Sequence, residues 1–206
     1  MSAVLGKTVG TSTTKSAIPT PPYISLLRVF AAATAAVTWV VAEWIHHGKP
    51  TVLGGASGCV AGLVAITPAA GFVTPLAAII IGAVGGVICY LAVAVLKERL
   101  GYDDALDAFG VHGIGGTWGA IATGLFATVD VNPAGADGLF YGDTHLLFAQ
   151  VVSILVAYAF AIIGSVILYC LVKSVMKVRA DETEEIAGLD IVEHGERGYA
   201  SSMTIG

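Results

Sequence analysis

Long apolar runs alternate with short polar segments along the chain, and this pattern predicts membrane-spanning helices. A helix needs roughly 17 to 25 mostly apolar residues to cross the core of a bilayer. Five runs reach about that length, and they occupy residues 29–45, 51–73, 75–96, 105–127 and 146–172. The pattern therefore predicts an all-α, polytopic membrane helix bundle with about five transmembrane helices.

Composition supports the same class of protein. Hydrophobic residues make up 56% and charged residues 12% of the 206 residues, and the mean hydropathy is +0.83. A typical soluble domain has about 25% charged residues, so this composition excludes an ordinary soluble fold. The sequence has no basic patch of the kind that binds nucleic acid and no CxxC spacing of the kind that binds metal. We expect no nucleic-acid partner, no metal and no cofactor.

Basic residues indicate the orientation of the predicted helices in the membrane. They follow the first, third and fifth runs as Lys49, Lys97, Arg99, Lys173, Lys177 and Arg179. Lys and Arg collect in cytoplasmic loops, which places the N-terminus outside and the C-terminus in the cytoplasm of a multi-pass membrane protein, expected in the cell membrane. The predicted outer loop, residues 128–145, carries Asp130, Asp137 and Asp143. These carboxylates are either a weak attractant for cations or a solvated loop.

Changes of composition divide the chain into three segments. Residues 1–28 are rich in Ser, Thr and Pro and have no acidic residue, which predicts a disordered segment. Residues 29–175 hold the five apolar runs and form the predicted transmembrane domain. Residues 176–206 are polar and acidic, which indicates a cytoplasmic tail.

His112 is the strongest candidate for a functional residue, because it lies inside the fourth apolar run. An ionisable side chain within a membrane is costly and usually functional, and histidine gains and loses a proton near neutral pH. In a regular helix it would stand beside Ala108 and Phe109 on one side and Gly115, Gly116 and Gly119 on the other. Two interpretations stay open at this point. His112 either hydrogen-bonds across closely packed helices or handles protons in a narrow passage.

Four motifs resemble the ammonium transporter (Amt/Mep/Rh) family. The one around His112 reads YDDALDAFGVHGIGG over residues 102–116. The others are Glu43-Trp44 with Gly48-Lys49-Pro50, residues 56–58 with AGLVAITPAAG at 61–71, and the tail residues 188–190 with 193–196 and Tyr199. The resemblance runs in order from about residue 31 to residue 199, while residues 1–30 do not share it. It covers only the second half of an eleven-helix transporter.

The resemblance implies a homotrimeric, channel-like transporter for nitrogen uptake. Ammonium would lose a proton at the outer side and cross a histidine-lined hydrophobic pore as ammonia. The match assigns His112 to a pore histidine, Thr67 to a position beside the inner pore and Ala108 to the region of the cytoplasmic exit. Five further residues would pack the pore helix: Asp107, Phe109, Gly115, Gly116 and Gly119.

Three further expectations follow from the resemblance. Because it covers half a transporter, we expect either a homotrimer or a partner that supplies the missing N-terminal half, and a truncated or split chain that is not active alone. The tail implies that a PII-type signalling protein can dock at the cytoplasmic face. No enzymatic activity is expected.

Two other functions are compatible with parts of the sequence. Gly55-Ala56-Ser57-Gly58 fits the nucleophile motif of rhomboid-like intramembrane serine proteases, and His112 would be the base of a Ser–His dyad. The His-x-x-x-Asn sequence that would support the oxyanion is absent from the chain. The second alternative is a non-conducting regulatory fragment of an ammonium transporter. Transport of ammonium remains the favoured function.

Overall fold

A computed structural model describes residues 20–198, and these residues form helices, turns and loops without any strand. They divide into two compact units after Val156. Unit 1 contains five helices and the start of a sixth: α1 (Pro21–His47), α2 (Val52–Ile66), α3 (Pro75–Leu91), α4 (Lys97–Leu100), α5 (Ile114–Phe126) and α6 (His145–Val175). Unit 2 contains the rest of α6 and two short helices, α7 (Glu182–Ala187) and α8 (Leu189–His194).

Two π-helical turns lengthen the helices of unit 1. The turn Ala92–Leu96 joins α3 to α4, so that one continuous helix runs over Pro75–Leu100. The turn Phe109–Gly113 precedes α5 directly. A single 3₁₀ turn, Leu139–Tyr141, lies in the loop before α6.

Three helices in the described part of the chain are long and apolar enough to cross a membrane: Pro21–His47, Pro75–Leu100 and His145–Val175. The second predicted span is shorter than expected, because α2 ends at Ile66 and turns follow up to residue 73. The fourth begins at residue 108 instead of 105 and is divided between the π-helical turn and α5. The predicted number of helical runs is correct, but two of the predicted spans were too long.

The first helix begins earlier than the sequence predicted. Thr20 is extended, and prolines occupy the first positions of α1. Proline is well suited to these positions, because its fixed φ matches the helix and it lacks an N–H that would otherwise be unsatisfied. Residues 21–28, which were expected to be disordered, are therefore helical. The rest of that segment, residues 1–19, lies outside the described residues.

Small residues bring α1 into close contact with α2 and α3. Ala31 and Ala35 on α1 are fully buried. A Cβ atom added to Gly62 of α2 would lie 2.7 Å from the carbonyl carbon of Ala31, and one added to Gly82 of α3 would lie 2.6 Å from the Ala31 Cα. Only glycine allows such an approach, which is the usual device of membrane helix pairs.

Two threonines add hydrogen bonds between α1 and α3. The Oγ1 of Thr34 donates to the carbonyl oxygen of Ile79 at 3.2 Å, and that of Thr38 donates to Ala83 at 2.9 Å. Both pairs are four residues apart on their helices, so the contacts repeat once per turn. Hydrogen bonds as well as the packing of small residues therefore hold α1 against α3.

Hydrogen bonds that join loops to α1 or to each other mark the two ends of unit 1. At one end, the Tyr23 hydroxyl donates to the Val73 carbonyl at 2.9 Å, and the Thr128 N–H donates to the Phe72 carbonyl at 2.8 Å. At the opposite end, Glu43 accepts hydrogen bonds from the backbone N–H and the hydroxyl of Thr51. We call these the Tyr23 end and the Glu43 end.

Unit 2 has a locally ordered tail. The Asp181 and Glu184 side chains form a capping box at the start of α7. Gly188, with a φ of 95°, turns the chain between α7 and α8. Asp190 accepts hydrogen bonds from the N–H groups of Ile191 and Gly198, at 3.0 and 2.8 Å. Two short helices thus form where the composition indicated only a polar tail.

Candidate functional site

Asp104 begins the helix that carries His112. Its two carboxylate oxygens accept hydrogen bonds from the N–H groups of Ala108 and Phe109, both at 2.9 Å. The first N–H groups of a helix have no partner within the helix, and a carboxylate also suits the positive end of the helix dipole. Sequence reasoning missed this role, although an acidic residue shortly before an apolar helical run is a signal for it.

Lys97 ties this helix start to the end of α3–α4. Its Nζ donates to the Asp104 carbonyl oxygen at 3.0 Å and forms an ion pair with Asp107. Asp107 has a φ of 55°, the only positive φ among the described residues other than glycine. Aspartate is one of the few residues that tolerate this conformation. Asp107 was expected to pack the pore helix, and the structure places it in this ion pair.

Phe109 lies at the edge of the same loop. Its ring meets Tyr102 edge to face, with 6.0 Å between the ring centroids, and the side chain is 45% exposed. The Tyr102 hydroxyl is buried and has no hydrogen-bond partner within residues 20–198. Phe109 therefore packs on the loop on one side and is open on the other.

His112 lies in the π-helical turn, and its side chain is exposed in unit 1. The preceding residue, Val111, is buried against Trp39, Ala61, Cys89 and Tyr90. His112 makes no hydrogen bond within the described chain, so nothing there supports the packing interpretation. Turns of this type have hydrogen bonds between residues five apart instead of four and occur often at functional sites.

The glycines around His112 divide into a packed set and an open one. A Cβ on Gly115 would lie 3.0 Å from the Cys89 Sγ, and one on Gly119 would lie 3.0 Å from the Pro68 Cδ. A Cβ on Gly116 would have no atom within 4 Å. Gly116 therefore differs from the expectation that it packs the helix. The resemblance assigns Gly116 to packing of the pore helix, but a Cβ at this position would meet open space.

Thr67 and Ala108 are also exposed. The Thr67 hydroxyl donates to the Leu63 carbonyl at 2.6 Å, at the end of α2. The contact between Gly119 and Pro68 brings this end of α2 beside α5. Within residues 20–198 no hydrogen bond joins Thr67, Ala108 and His112. What they share is exposure on unit 1. We call these three exposed residues, together with the half-buried Gly116, the His112 face.

Ser57 lies in a different place from His112. It lines a cavity of about 270 Å³ at the Glu43 end, together with Trp39, Tyr90, Lys97 and Asp107. His112 does not line that cavity, and no hydrogen bond joins it to Ser57 in the described part of the chain. The arrangement does not assemble the Ser–His dyad of the protease alternative.

Two carboxylates of the acidic loop accept hydrogen bonds from the backbone. Asp137 accepts a hydrogen bond from the Val129 N–H at 2.9 Å, and Asp143 accepts one from the His145 N–H at 2.8 Å at the start of α6. These contacts explain both residues without any bound cation. Among residues 20–198, no group of three or more His, Cys, Asp or Glu residues could hold a metal ion.

Comparison with known proteins identifies the family. A family model described as the Ammonium Transporter Family matches residues 10–199. The chain belongs to the ammonium transporter family. This match begins upstream of residue 31, where the motifs placed the start of the resemblance.

Individual relatives agree with the family match. The chain is 58% identical over 173 residues to an ammonium transporter of Bacillus subtilis, and the alignment covers 84% of this chain and 43% of that protein. It is 37% identical to an ammonium transporter of Mycobacterium tuberculosis, over 98% of this chain and 43% of the relative. The chain thus spans about two fifths of the length of these relatives. Their names describe transport, as expected for a chain that is not an enzyme.

Solved structures share the fold. The crystal structure of Mep2 from Saccharomyces cerevisiae matches with a TM-score of 0.70 and 38% identity, over 74% of this chain and 36% of that one. Mep2 from Candida albicans matches with a TM-score of 0.71 and 34% identity, over 79% and 37%. The all-α, membrane-bundle class expected from the sequence is confirmed.

Proposed function

We propose that this chain takes part in conducting ammonium across a membrane and that the His112 face lines the conduction path. The observation that carries the proposal is an exposed, unbonded histidine on an otherwise apolar and glycine-rich helix of an ammonium transporter family member. A histidine turned towards lipid would be costly. A path that runs along this face accounts for its exposure.

The chemistry of the face suits an ion that can shed a proton. A dry apolar passage rejects hydrated potassium, because the ion would lose its water without compensation. Ammonium avoids that cost by crossing as neutral ammonia, with the proton relayed separately. His112 would accept and release protons along the path, Thr67 would lie beside its inner part, and Ala108 would lie near its cytoplasmic exit.

The conduction path requires more surface than this chain offers. Because the chain spans about two fifths of its relatives, we propose that the N-terminal part of a transporter covers the His112 face. A complete unit of this kind would assemble as a homotrimer. We expect the chain alone to conduct little or no ammonium.

The proposed orientation has the N-terminus outside and the tail in the cytoplasm of a cell membrane. Residues 29–175 form the membrane domain in this proposal and residues 176–206 the tail, to which a PII-type protein would dock. Support comes from Lys49, which follows α1, and from Lys97 and Arg99, which lie in the last turn of the helix Pro75–Leu100. Cysteines introduced at Ala136 and Glu193 test this topology. Ala136→Cys should react with an impermeant reagent from outside, and Glu193→Cys only after permeabilisation.

Uptake of methylammonium tests the function itself. The host is a strain without its own ammonium transporters, and the chain is expressed alone or joined to the N-terminal part of a full-length relative. We expect uptake only from the joined form. At matched surface expression, His112→Ala should abolish it. If His112→Gln and His112→Glu both kept wild-type flux and selectivity over potassium, His112 would have only a packing role.

A further inference from the structure

Three cations at the end of α6 line one cavity in unit 2. The cavity has a volume of about 590 Å³, and Lys173, Lys177 and Arg179 contribute to its wall. The Lys173 Nζ lies 5.8 Å from the centroid of the Tyr169 ring. Lys173 has no carboxylate partner within residues 20–198. Of the three cations in this wall, Lys173 is therefore the one that no carboxylate of the described chain holds.

The position of the cavity relates it to a membrane surface. Helix α6 is long enough to span a bilayer and has no buried residue in the described chain. A helix that is apolar on all sides belongs in a membrane or in a large core. Lys173 lies in its last turn, where the negative end of the helix dipole favours cations. Cations that follow a span directly lie at the depth of the lipid headgroups.

Carboxylates of the tail form ion pairs with two of the three cations. The Lys177 Nζ lies 2.5 Å from an Asp181 oxygen and 3.2 Å from a Glu184 oxygen, and the Arg179 Nε lies 3.1 Å from a Glu185 oxygen. The side chains of Lys177 and Arg179 are 54% and 77% exposed. Exposed ion pairs contribute little stability, so another anion can replace them.

The ionisation of these groups sets the pH range of the contact. The Asp181 N–H and then Lys177 lower the pKa of Glu184 from its ordinary 4.5, and hydrogen bonding to Asp181 raises the pKa of Lys177. A lowered carboxylate pKa contributes stability above pH 4.5, which is lost as the pH falls through the lowered value. Glu184 therefore holds Lys177 at neutral pH.

We propose that Lys173, Lys177 and Arg179 bind the phosphate group of an anionic phospholipid, in competition with the tail carboxylates. The inference rests on the proposed membrane insertion of α6 and not on conduction. A phosphodiester carries a negative charge and acceptor oxygens, which suit an arginine fork and two lysines. When a headgroup binds, Glu184 and Glu185 lose their partners. The attachment of α7 to the end of α6 then depends on the anionic lipid content of the membrane.

Lipid binding to the purified full chain in detergent tests the proposal. Native mass spectrometry measures the affinity for phosphatidylglycerol and for phosphatidylcholine with the same acyl chains. A charge-assisted contact with the phosphate contributes about tenfold in affinity, so Lys173→Gln with Arg179→Gln should weaken phosphatidylglycerol binding by at least about tenfold. The matched control, Lys49→Gln with Arg99→Gln, removes the same charge from residues that do not line the cavity and so make no contact with the phosphate, and it should change the affinity less than about twofold. An equal loss in both pairs, or equal binding of the two lipids, would overturn the site.

A gain-of-binding variant separates the proposal from misfolding. Glutamine can replace glutamate in a capping box, so Glu184→Gln keeps the start of α7 and removes one of the two charges that compete for Lys177. We expect it to strengthen phosphatidylglycerol binding by a few fold. Unchanged or weaker binding would overturn the competition. Displacement of the lipid by inorganic phosphate would overturn the phospholipid as the ligand and assign the site to free phosphate. None of these outcomes depends on methylammonium uptake.

Discussion

Glycine serves opposite purposes on the two sides of unit 1. On the α1–α2–α3 side, Gly62 and Gly82 let backbones approach so closely that a methyl group has no room. On the His112 face, Gly116 has nothing within 4 Å of the position of a Cβ. The first arrangement stabilises the bundle, whereas the second leaves space beside an ionisable side chain. The same residue type in the same apolar context therefore marks close packing on one side and open space on the other.

The largest difference is expected between Gly62→Ala and Gly116→Ala. The added methyl at residue 62 would collide with the backbone of Ala31, and overpacking of this kind costs about 1–3 kcal/mol. The same change at residue 116 meets open space and improves helix propensity. Thermal unfolding in detergent should show a lower midpoint for Gly62→Ala only. A similar loss in both variants would mean that the His112 face is packed.

Capping of the His112 helix comes next in size. Asp104→Ala removes the acceptor for two N–H groups and should cost about 0.5–2 kcal/mol, whereas Asp104→Asn keeps an acceptor and should recover much of it. The same unfolding assay measures both variants. If the asparagine variant were as unstable as the alanine variant, capping would not explain the role of Asp104.

Trp118 fastens the packed side of the same helix. Its Nε1 donates to the Ile81 carbonyl oxygen at 3.0 Å and so joins α5 to α3. Trp118→Phe should lower the stability by about 1 kcal/mol, because the hydrogen bond from the indole to the Ile81 carbonyl is lost. Trp44 is 59% exposed, and Trp44→Phe is the matched control with little expected effect. Equal effects would place the contribution of Trp118 in ring volume instead of its hydrogen bond.

The sequence predicted the helices better than the faces they present. Apolar runs can be identified directly from the residue types, so the helical segments and the candidate role of His112 could be predicted. The π-helical turn at Phe109–Gly113 could not, because the same apolar and glycine-rich pattern also fits a regular α-helix. The open space at Gly116 could not be predicted either, because it depends on which neighbouring helices pack against α5.

The sequence also contains signals for two polar features of the structure. The pattern of a capping box is present in the tail, where Glu184 follows Asp181 by three residues. This pattern predicts the helix that forms there. Asp104 stands before an apolar helical run in the manner of a cap. The ion pair of Lys97 with Asp107 is different, since it joins residues on separate elements and needs the fold to be known.

The most direct test of the His112 face is ammonium flux with leucine at Gly116. Gly164 of α6 is the control, because it also has nothing within 4 Å of a Cβ position and lies in an apolar helix. Both variants are measured by methylammonium uptake in the form joined to the N-terminal part of a relative, at matched surface expression. The account predicts that Gly116→Leu blocks uptake and that Gly164→Leu leaves it near wild type. Wild-type uptake by Gly116→Leu would contradict the account, because the conduction path could not then run along the His112 face.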